Sequence, residues 1–313
     1  MKYSKDILWD VHKRIKKYIH NTPVLTSQLL NNLTGCELYF KCENFQKMGA
    51  FKIRGAINAL LNLTEKELQK GVVTHSSGNF AQALSLSAKL LGTKAYIVMP
   101  STATEIKKQA VIGYGGNITL CKPNLKSREE TSDKIINEKG CTFVHPSNNI
   151  NVILGQATVA KELLETQSNL NCIISPVGGG GLIAGTSLAA NFFGMDCKTI
   201  GGEPFEADDA FRSLKRGKIE HNKTTNTIAD GLKTELGDIN FPIIQKYVDS
   251  IIRVEENEIV EAMKLIWERM KIIIEPSSAV SLAALFREKE KFENKKVGII
   301  LSGGNVDLKN LPF

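Results

Sequence analysis

Short apolar runs alternate with longer segments in which apolar residues recur every three or four positions. The short runs are bounded by glycine, proline or polar residues and predict β-strands. They cover residues 37–41, 72–74, 94–99, 117–120, 141–144, 172–175, 199–202 and 297–301. The longer segments predict α-helices at residues 53–63, 80–91, 104–114, 127–139, 153–166, 182–193 and 256–270. This alternation indicates an α/β fold with helices on the faces of a parallel sheet.

The first apolar segment predicts an amphipathic helix. Its apolar side chains fall on one helical face, which we expect to dock on the protein body: Ile7, Leu8, Val11, Ile15 and Ile19. The first twenty residues of the chain carry charges throughout and lack the continuous apolar core of a secretory signal. No apolar run reaches transmembrane length. We therefore expect a cytoplasmic protein that does not bind membranes.

Lys52 lies between Phe51 and Ile53, just before a predicted helix. Apolar neighbours remove water from an ammonium group, and the positive end of a helix dipole opposes its charge. Both effects favour a free amine, which forms a Schiff base with an aldehyde cofactor. The alternative is a surface lysine whose stem packs on its neighbours, and on these residues alone that role is the commoner one.

Four successive glycines, Gly178 to Gly181, follow a predicted strand and open a predicted helix. Such a turn exposes backbone N–H groups at a helix N-terminus, where an anion such as a phosphate binds. It lacks the Lys-Ser/Thr pair of a P-loop and the spacing of a dinucleotide fingerprint. A close-packed turn without a ligand is the alternative.

Two further polar stretches follow predicted strands. The first is His75-Ser-Ser-Gly-Asn79, whose polar side chains alone would be read as caps of the next helix. The second is Leu301-Ser-Gly-Gly-Asn305, which alone would be an ordinary turn at the end of a strand. Their significance depends on the other two stretches.

Together the four stretches resemble the fold-type II pyridoxal-phosphate (PLP) enzymes, and most closely the group of serine racemases and serine/threonine dehydratases. The resemblance extends from about Ile7 to Asp307 and keeps four motifs in order. It implies the tryptophan synthase β-like fold, with two parallel-sheet α/β domains and the smaller inserted into the larger. Residues 1–70 and 148–313 would form the large PLP-binding domain, and residues 71–147 the small domain that caps the substrate.

The resemblance also implies the cofactor site. Lys52 would carry PLP as a Schiff base, and Phe51 would stack on its ring. Asn79 would contact its phenolic oxygen, and the backbone of Gly178, Gly179, Gly180 and Gly181 would hold its phosphate. Ser302 would meet the pyridine nitrogen, and a hydroxyl at that position suits elimination reactions.

By the same resemblance, Ser76, Ser77 and Asn79 would bind the substrate carboxylate, with Arg128 and Thr234 on the substrate side. Lys52 and Ser77 would move protons on opposite faces of Cα, as racemisation requires. The implied activity is PLP-dependent racemisation of serine and dehydration of L-serine or L-threonine to a 2-oxo acid and ammonia.

Three further features follow from the family. Glu203 and Asp209 with the Ala207 carbonyl would bind Mg²⁺ or Ca²⁺, since all these ligands are oxygen atoms. A homodimer is implied. A nucleotide site with ATP as effector is a further expectation from four residues: Lys47, Tyr114, Lys271 and Asn305. Gln28 and Met48 depart from that pattern, so the ATP site stays an alternative.

Two departures bear on the substrate. Phe80 stands where the family usually has histidine, so a donor near the substrate carboxylate is missing, and the loop 146–149 differs from the racemase pattern. A 3-hydroxyaspartate dehydratase and an aspartate racemase are therefore alternatives. A β-replacement enzyme such as cysteine synthase usually carries a different serine loop. Outside enzymes, the alternative is an inactive PLP- or amino-acid-binding protein.

Composition adds little to this. The net charge of +7, in a chain of 313 residues with 42% hydrophobic and 23% charged residues, suits a small-molecule enzyme and does not require nucleic acid. None of the six cysteines forms a C-x-x-C pair, so reduced thiols are expected.

Overall fold

The computed structural model describes residues 3–313, so the first two residues of the predicted large domain lie outside the described range. Its strands form two sheets, of six and four strands. The larger sheet contains β1 (Val24–Leu25), β2 (Glu37–Cys42), β7 (Cys172–Pro176), β8 (Lys198–Pro204), β9 (Ser250–Val254) and β10 (Lys296–Leu301). The smaller contains β3 (Val72–His75), β4 (Ala95–Pro100), β5 (Gly116–Cys121) and β6 (Thr142–Phe143).

The strand order of the larger sheet is β1-β2-β10-β7-β8-β9. Every pair is parallel except β1 with β2. The smaller sheet is wholly parallel, with the order β5-β4-β3-β6. The predicted parallel α/β architecture is therefore confirmed, and the smaller sheet lies within the segment predicted as an insertion. The domain limits at residues 71 and 147 stay a prediction.

Thirteen helices surround the sheets in the described part of the chain. They are α1 (Lys5–Ile15), α2 (Gln28–Thr34), α3 (Lys52–Leu61), α4 (Glu65–Lys70), α5 (Asn79–Leu90), α6 (Glu105–Gly113), α7 (Leu125–Lys139), α8 (Ile150–Thr166), α9 (Gly181–Phe193), α10 (Asp209–Arg216), α11 (Phe241–Tyr247), α12 (Glu256–Met270) and α13 (Pro276–Arg287). As predicted, α1 docks through a buried face of Leu8, Val11 and Ile15.

Local chemistry explains several boundaries. The helix α8 begins at Ile150, three residues earlier than predicted, because Asn149 Oδ1 accepts the N–H groups of Asn151 and Val152. The strand predicted at 141–144 shortens to β6, which pairs with β3 at only two positions. Six short elements were not predicted from the sequence: α2, α4, α10, α11, β1 and β9. The four helices among them have eight residues or fewer, too short for a clear period.

Close packing fixes α3, the helix that begins with Lys52. A Cβ atom at Gly155 of α8 would clash with the carbonyl oxygen of Arg54 in α3. The two helix backbones therefore touch, and α8 supports the first turn of α3 from behind.

No helix within residues 3–313 is long and apolar enough to cross a membrane. All six cysteines are free thiols, four of them buried.

Candidate active site

The order of the strands brings the separate motifs to one edge of the larger sheet. The strands β2, β10 and β7 are neighbours and run parallel. Lys52 follows β2, Ser302 follows β10 and the turn Gly178–Gly181 follows β7. In parallel sheets, ligands bind outside the carboxyl ends of the strands. The topology therefore places Ser302 between the lysine and the glycine turn.

The smaller sheet contributes in the same way. Its neighbouring strands β3 and β6 are parallel. The serine loop 76–79 follows β3, and the loop that begins at His145 follows β6. The carboxyl ends of two parallel sheets therefore supply all the loops of the candidate site.

Lys52 lies in a largely apolar setting. Its Nζ atom is 4.8 Å from the centroid of the Phe51 ring and 6.0 Å from that of Phe80. Nζ donates a hydrogen bond to the carbonyl oxygen of Pro146 at 3.3 Å. Burial lowers the pKa of Lys52 to about 8, although the carboxyl group of Glu275 opposes the shift. The free amine expected from the sequence is thus accessible near neutral pH.

Phe80 contributes to this setting. It is 2% exposed and belongs to the hydrophobic cluster around α3 and α5. A polar histidine is usual at this position in the family, whereas phenylalanine presents an apolar ring towards the amine. Phe80 therefore helps to exclude water from Lys52.

The glycine turn is packed so closely against its neighbours that it has no room for side chains of its own. Gly180 has φ of +78°, and a Cβ atom there would lie 2.6 Å from Leu236. A Cβ at Gly179 would lie 2.5 Å from the hydroxyl oxygen of Ser147. The helix α9 begins at Gly181, so its positive end faces the turn. Only glycine suits this anion-binding conformation.

Thr234 lies against this turn. Its hydroxyl oxygen accepts a hydrogen bond from the Gly179 N–H at 2.9 Å. The sequence analysis placed Thr234 on the substrate side, whereas its one hydrogen-bond contact is with the predicted phosphate turn. Thr234 therefore borders the phosphate end of the candidate site.

Ser302 is 3% exposed at the end of β10. Its hydroxyl oxygen is 3.1 Å from that of Ser278, which also accepts the Gly303 N–H at 2.7 Å. The Phe51 N–H donates to the carbonyl oxygen of Ser302 at 3.0 Å. These bonds fix the Ser302 backbone beside the residue that precedes Lys52.

Asn79 is held by a carboxyl group that the sequence analysis did not assign to the site. Its Nδ2 atom lies 3.0 Å from both carboxyl oxygens of Glu275, and its Oδ1 accepts from Asn305 Nδ2 at 2.8 Å. Burial raises the pKa of Glu275 to about 7. The amide orientation of Asn79 is therefore set by Glu275 and Asn305, and a second group that titrates near neutral pH lies close to Lys52.

The serine loop is half-buried, and Ser77 is three residues before Phe80, whose ring faces Lys52. Ser76 Oγ accepts the Gly78 N–H at 3.4 Å, a local turn contact. Arg128 lies on α7, and its Nε atom is buried without a hydrogen-bond partner among the described residues. A buried guanidinium donor without a partner is costly, so Arg128 is suited to an anionic ligand.

The predicted metal ligands are brought together after β8. Glu203 and Asp209 are fully buried. Burial and then the neighbouring Asp209 raise the pKa of Glu203 well above its usual value, and burial raises the pKa of Asp209 to about 6. Ala207 ends the short 3₁₀ turn between the two carboxylates.

These two carboxylates lack a fully compensating positive charge. The oxygens of Glu203 accept only the N–H groups of Ala210 and Phe211, while those of Asp209 accept from Asn222 and Leu236. Within residues 3–313, no three His, Cys, Asp or Glu side chains form a metal cluster. A cation here would therefore depend on the two carboxylates and on neutral oxygens.

Part of the predicted nucleotide set comes together. Asn305 Nδ2 donates to the Met48 carbonyl at 2.8 Å, next to Lys47. Lys271 is the C-terminal cap of α12. Two residues later, the carbonyl oxygen of Ile273 accepts a hydrogen bond from Asn44 Nδ2 at 3.1 Å, which connects this segment with the one that precedes Lys47. Tyr114 packs against the hydrophobic cluster that contains Met48. The nucleotide site itself stays a prediction.

The sequence analysis missed Glu275, Ser278 and His145. Glu275 and Ser278 act through contacts with residues distant in sequence, namely Asn79 and Ser302. The ring of His145 contacts its own loop, and its significance depends on where that loop lies relative to Lys52.

The comparisons with known proteins agree with this geometry. Residues 15–303 match the family described as pyridoxal-phosphate dependent enzymes. The chain is 53% identical to the serine racemase of Dictyostelium discoideum, over 98% of this chain and 96% of that protein. It is 49% identical to the beta-hydroxyaspartate dehydratase of Paracoccus denitrificans, over 96% of each chain. The crystal structure of the Dictyostelium discoideum serine racemase has a TM-score of 0.94, with 52% identity over 98% of this chain and all of that one.

The residues described above suit the family's cofactor. The glycine turn at the N-terminus of α9 suits a phosphate. An amine with a lowered pKa suits an aldehyde. The family, fold class and cofactor expected from the sequence are therefore confirmed, and the chain belongs to the pyridoxal-phosphate dependent enzymes.

Proposed function

We propose that this chain is a PLP-dependent serine racemase that also dehydrates L-serine or L-threonine. The observation that carries the proposal is Lys52, whose amine has a pKa of about 8 beside the serine loop and Ser302. Two of the similar proteins support the class of reaction, since one is named a serine racemase and the other a hydroxyaspartate dehydratase.

PLP, when bound, supplies an electron sink that lets a proton leave the α-carbon of an amino acid. The residues of this chain would hold the reactants and move the protons. Gly178–Gly181 would bind the phosphate, and Ser302 would face the pyridine nitrogen. Phe51 would pack on the ring, and Asn79, oriented by Glu275, would donate to the phenolic oxygen.

Lys52 would remove or return the α-proton on one face of the substrate, and Ser77 would do so on the other. A group whose pKa lies near the working pH is suited to this role. The loop Ser76–Asn79 would bind the α-carboxylate. Dehydration needs proton removal on the lysine face alone, whereas racemisation needs both faces. The two activities would therefore depend differently on Ser77.

A second candidate is the dehydration of 3-hydroxyaspartate. The observation that favours it is the buried, unpartnered Nε atom of Arg128 on α7. A second carboxylate on the substrate would give that donor a charged partner. An aspartate racemase would use the same contact without the elimination step.

We further propose that Glu203, Asp209 and the Ala207 carbonyl bind Mg²⁺ or Ca²⁺. Two buried carboxylates with raised pKa values support a cation, since a nearby divalent charge would stabilise their ionised forms. ATP as an effector at Lys47, Tyr114, Lys271 and Asn305 stays a prediction.

The proposal includes a homodimer in the cytoplasm. Exposed Phe45 and Ile273 lie close together, because Asn44 donates to the Ile273 carbonyl. Exposed apolar side chains in one place favour a protein interface. The free thiols suit a reducing compartment. Light scattering of the purified chain tests the dimer.

The experiment that tests the function is an assay of 2-oxo acid release and enantiomer exchange over a panel of amino acids. We expect L-serine to give both pyruvate and D-serine. Preferential turnover of 3-hydroxyaspartate would select the second candidate. Cofactor binding without turnover of any substrate would favour the inactive binding protein.

A further inference from the structure

The loop after β6 contacts both ends of the candidate site. At one end, the Pro146 carbonyl accepts a hydrogen bond from Lys52 Nζ at 3.3 Å. At the other, Ser147 borders the glycine turn so closely that a Cβ at Gly181 would lie 3.0 Å from Ser147 Cα. Two consecutive residues thus connect the proposed reactive amine with the proposed phosphate turn.

The ring of His145 holds this loop from inside. Its Nδ1 atom lies 3.2 Å from the Ser147 N and 2.8 Å from the Asn148 N. Both backbone N–H groups donate, so Nδ1 must keep its lone pair and the ring proton must be on Nε2. Burial, together with the nearby His75 and Lys52, lowers the pKa of His145 to about 4, so the ring is neutral at neutral pH.

The far side of the loop is fastened to the phosphate turn. Asn148 Oδ1 accepts the Ile239 N–H at 2.8 Å, and Asn148 Nδ2 donates to Asp238 at 2.7 Å. Asn240 Nδ2 in turn donates to the Gly179 carbonyl at 2.8 Å. The loop is therefore held at one end by the His145 ring and at the other by the segment that contacts the glycine turn.

We propose that His145 is a positioning residue: its Nδ1 atom sets the backbone at 146–148 so that the Pro146 carbonyl orients the Lys52 amine and Ser147 closes the phosphate turn. The proposal rests on the proposed role of Lys52. In this arrangement His145 does not touch the substrate. It acts on the reaction only through the loop.

Two other roles make different predictions. His145 packs edge-on against the rings of His75 and Phe143, at centroid distances of 6.1 and 6.2 Å. If the hydrogen bonds to its Nδ1 atom did not matter, its role would be packing alone. It would instead be a proton-transfer group if the imidazole itself were required. Substitutions that separate the acceptor from the ring distinguish these three roles.

The chain itself suggests the substitutions. Asn149 Oδ1 accepts the N–H groups two and three residues ahead, at 2.9 and 3.2 Å, which is the same pattern that His145 makes. His145→Asn therefore supplies an acceptor without an imidazole. His145→Phe keeps an aromatic ring and removes the acceptor. His75→Phe is the matched control, since it changes the other imidazole of the same aromatic cluster.

Two readouts are measured. One is the Kd of PLP for the cofactor-free protein, by fluorescence titration. The other is the rate at which acetic anhydride acetylates Lys52 in that protein as a function of pH, by peptide mass spectrometry. The second readout follows the setting of the amine directly and needs no catalytic turnover.

We expect His145→Phe to weaken PLP binding by about tenfold or more, the loss expected when buried N–H groups have no acceptor. Its Lys52 acetylation curve should also shift along the pH axis. His145→Asn and His75→Phe should behave like the parent chain in both readouts.

Three results would overturn the proposal. Parent-like values for His145→Phe would leave packing as the role of the ring. Equal losses in His145→Asn and His145→Phe would make the imidazole itself essential. His145→Asn could also keep normal PLP binding and acetylation but lose 2-oxo acid release. That result would mean that the imidazole ring itself transfers a proton. If His145→Phe does not fold, the test rests on His145→Asn alone. The proposal then requires that this variant match the parent chain in both PLP binding and Lys52 acetylation. Cofactor bound to a lysine other than Lys52 in the parent chain would instead refute the proposed function.

Discussion

Lys52 and Arg54 are two residues apart on α3, yet their surroundings differ completely. Arg54 is fully buried on the side facing α8 and β2. Its Nε atom is 2.7 Å from a Glu43 oxygen, and its Nη2 atom is 2.7 Å from a Glu162 oxygen. Burial opposes the charge, but the two carboxylates outweigh it and raise the pKa of Arg54. Burial also opposes the charge of Glu162, but Arg54 lowers its pKa well below the usual range.

On the side of α3 that carries Lys52, opposite charges compensate the buried ionisable groups only in part. The pKa of Lys52 falls to about 8, and that of Glu275 rises to about 7, each mainly because of burial. Arg54 and Glu162 therefore stay charged at every ordinary pH. Lys52 and Glu275 can change protonation near neutral pH.

The contrast between Arg54 and Lys52 indicates which buried ionisable groups can take part in proton transfer. A saturated ion pair stabilises one arrangement of the helix and has no proton to exchange. A group left short of partners keeps a pKa near the working pH and can exchange a proton with a substrate. On α3, the saturated side holds the helix in place and the unsaturated side faces the candidate site.

The largest expected effect comes from Lys52→Ala. Turnover should fall by more than about 10⁴-fold, because the proton-transfer group and the covalent anchor are lost together. The midpoint of urea unfolding should change little, since a partly desolvated amine is removed. The measurement is 2-oxo acid release together with urea unfolding.

Exposed Lys66 on α4 provides a matched control, and Lys66→Ala should leave both quantities unchanged. A Lys52→Ala protein that retains even a hundredth of the parent turnover would contradict the assignment.

Ser77→Ala should separate the two faces of the substrate. D-serine formation should fall by roughly 10²–10⁴-fold, the contribution of one general acid–base group. Elimination from L-serine should persist, because it uses the lysine face. Exchange of the α-proton of D-serine in deuterated water measures the effect, and exchange at the parent rate would show that Ser77 does not transfer this proton.

Arg54→Met should affect stability. Two carboxylates would remain buried without their partner, which costs about 3–5 kcal/mol. Urea unfolding measures the loss. Replacing Glu43 and Glu162 by glutamine in the same chain should restore part of it. A stable Arg54→Met chain would show that the ion cluster does not hold α3.

Arg128→Gln tests the second candidate substrate. A lost charged hydrogen bond costs about 1.5–3 kcal/mol, so kcat/KM for 3-hydroxyaspartate should fall roughly 10–100-fold relative to that for L-serine. Lys126→Gln, an exposed change on the same helix, should leave the ratio unchanged. Equal losses for both substrates would place Arg128 away from the side chain of the substrate.

The smallest effect concerns the cation. Burial raises the pKa of Asp209 from 3.8 to about 6. Without a cation, ionised Asp209 therefore destabilises the folded chain as pH rises from about 4 through about 6. Mg²⁺ or Ca²⁺ should raise Tm by roughly 2–4 °C at pH 7.5, the shift that about 1 kcal/mol produces, and by less at pH 5.

EDTA should reverse this gain, and Asp209→Asn should remove it. A Tm that does not respond to cation or chelator at either pH would mean that Glu203 and Asp209 only shape the turn after β8.

The sequence predicted most of the α/β alternation and the motifs at the carboxyl ends of the strands. Lys52 and the glycine turn could be found because each carries a local signature at a strand–turn junction, whereas Ser302 was found only through the resemblance to the family. Arg54 could not, because it lies in a helical run and its partners, Glu43 and Glu162, come from different parts of the chain.

The same reason applies within the site. Glu275 becomes significant only when the fold brings it to Asn79, and His145 only when its loop lies beside Lys52. A one-dimensional pattern does not contain that proximity. Thr234 is another example, since its hydroxyl contacts the glycine turn, 55 residues earlier in the chain, while its predicted role on the substrate side stays a prediction.

The most direct test of the account locates the cofactor on the chain. The purified protein is reduced with borohydride, digested and analysed by peptide mass spectrometry. We expect a single phosphopyridoxyl adduct, on Lys52, because this lysine combines a lowered pKa with a position beside the glycine turn and Ser302. An adduct on another lysine, or a yellow protein that yields no lysine adduct, would contradict it.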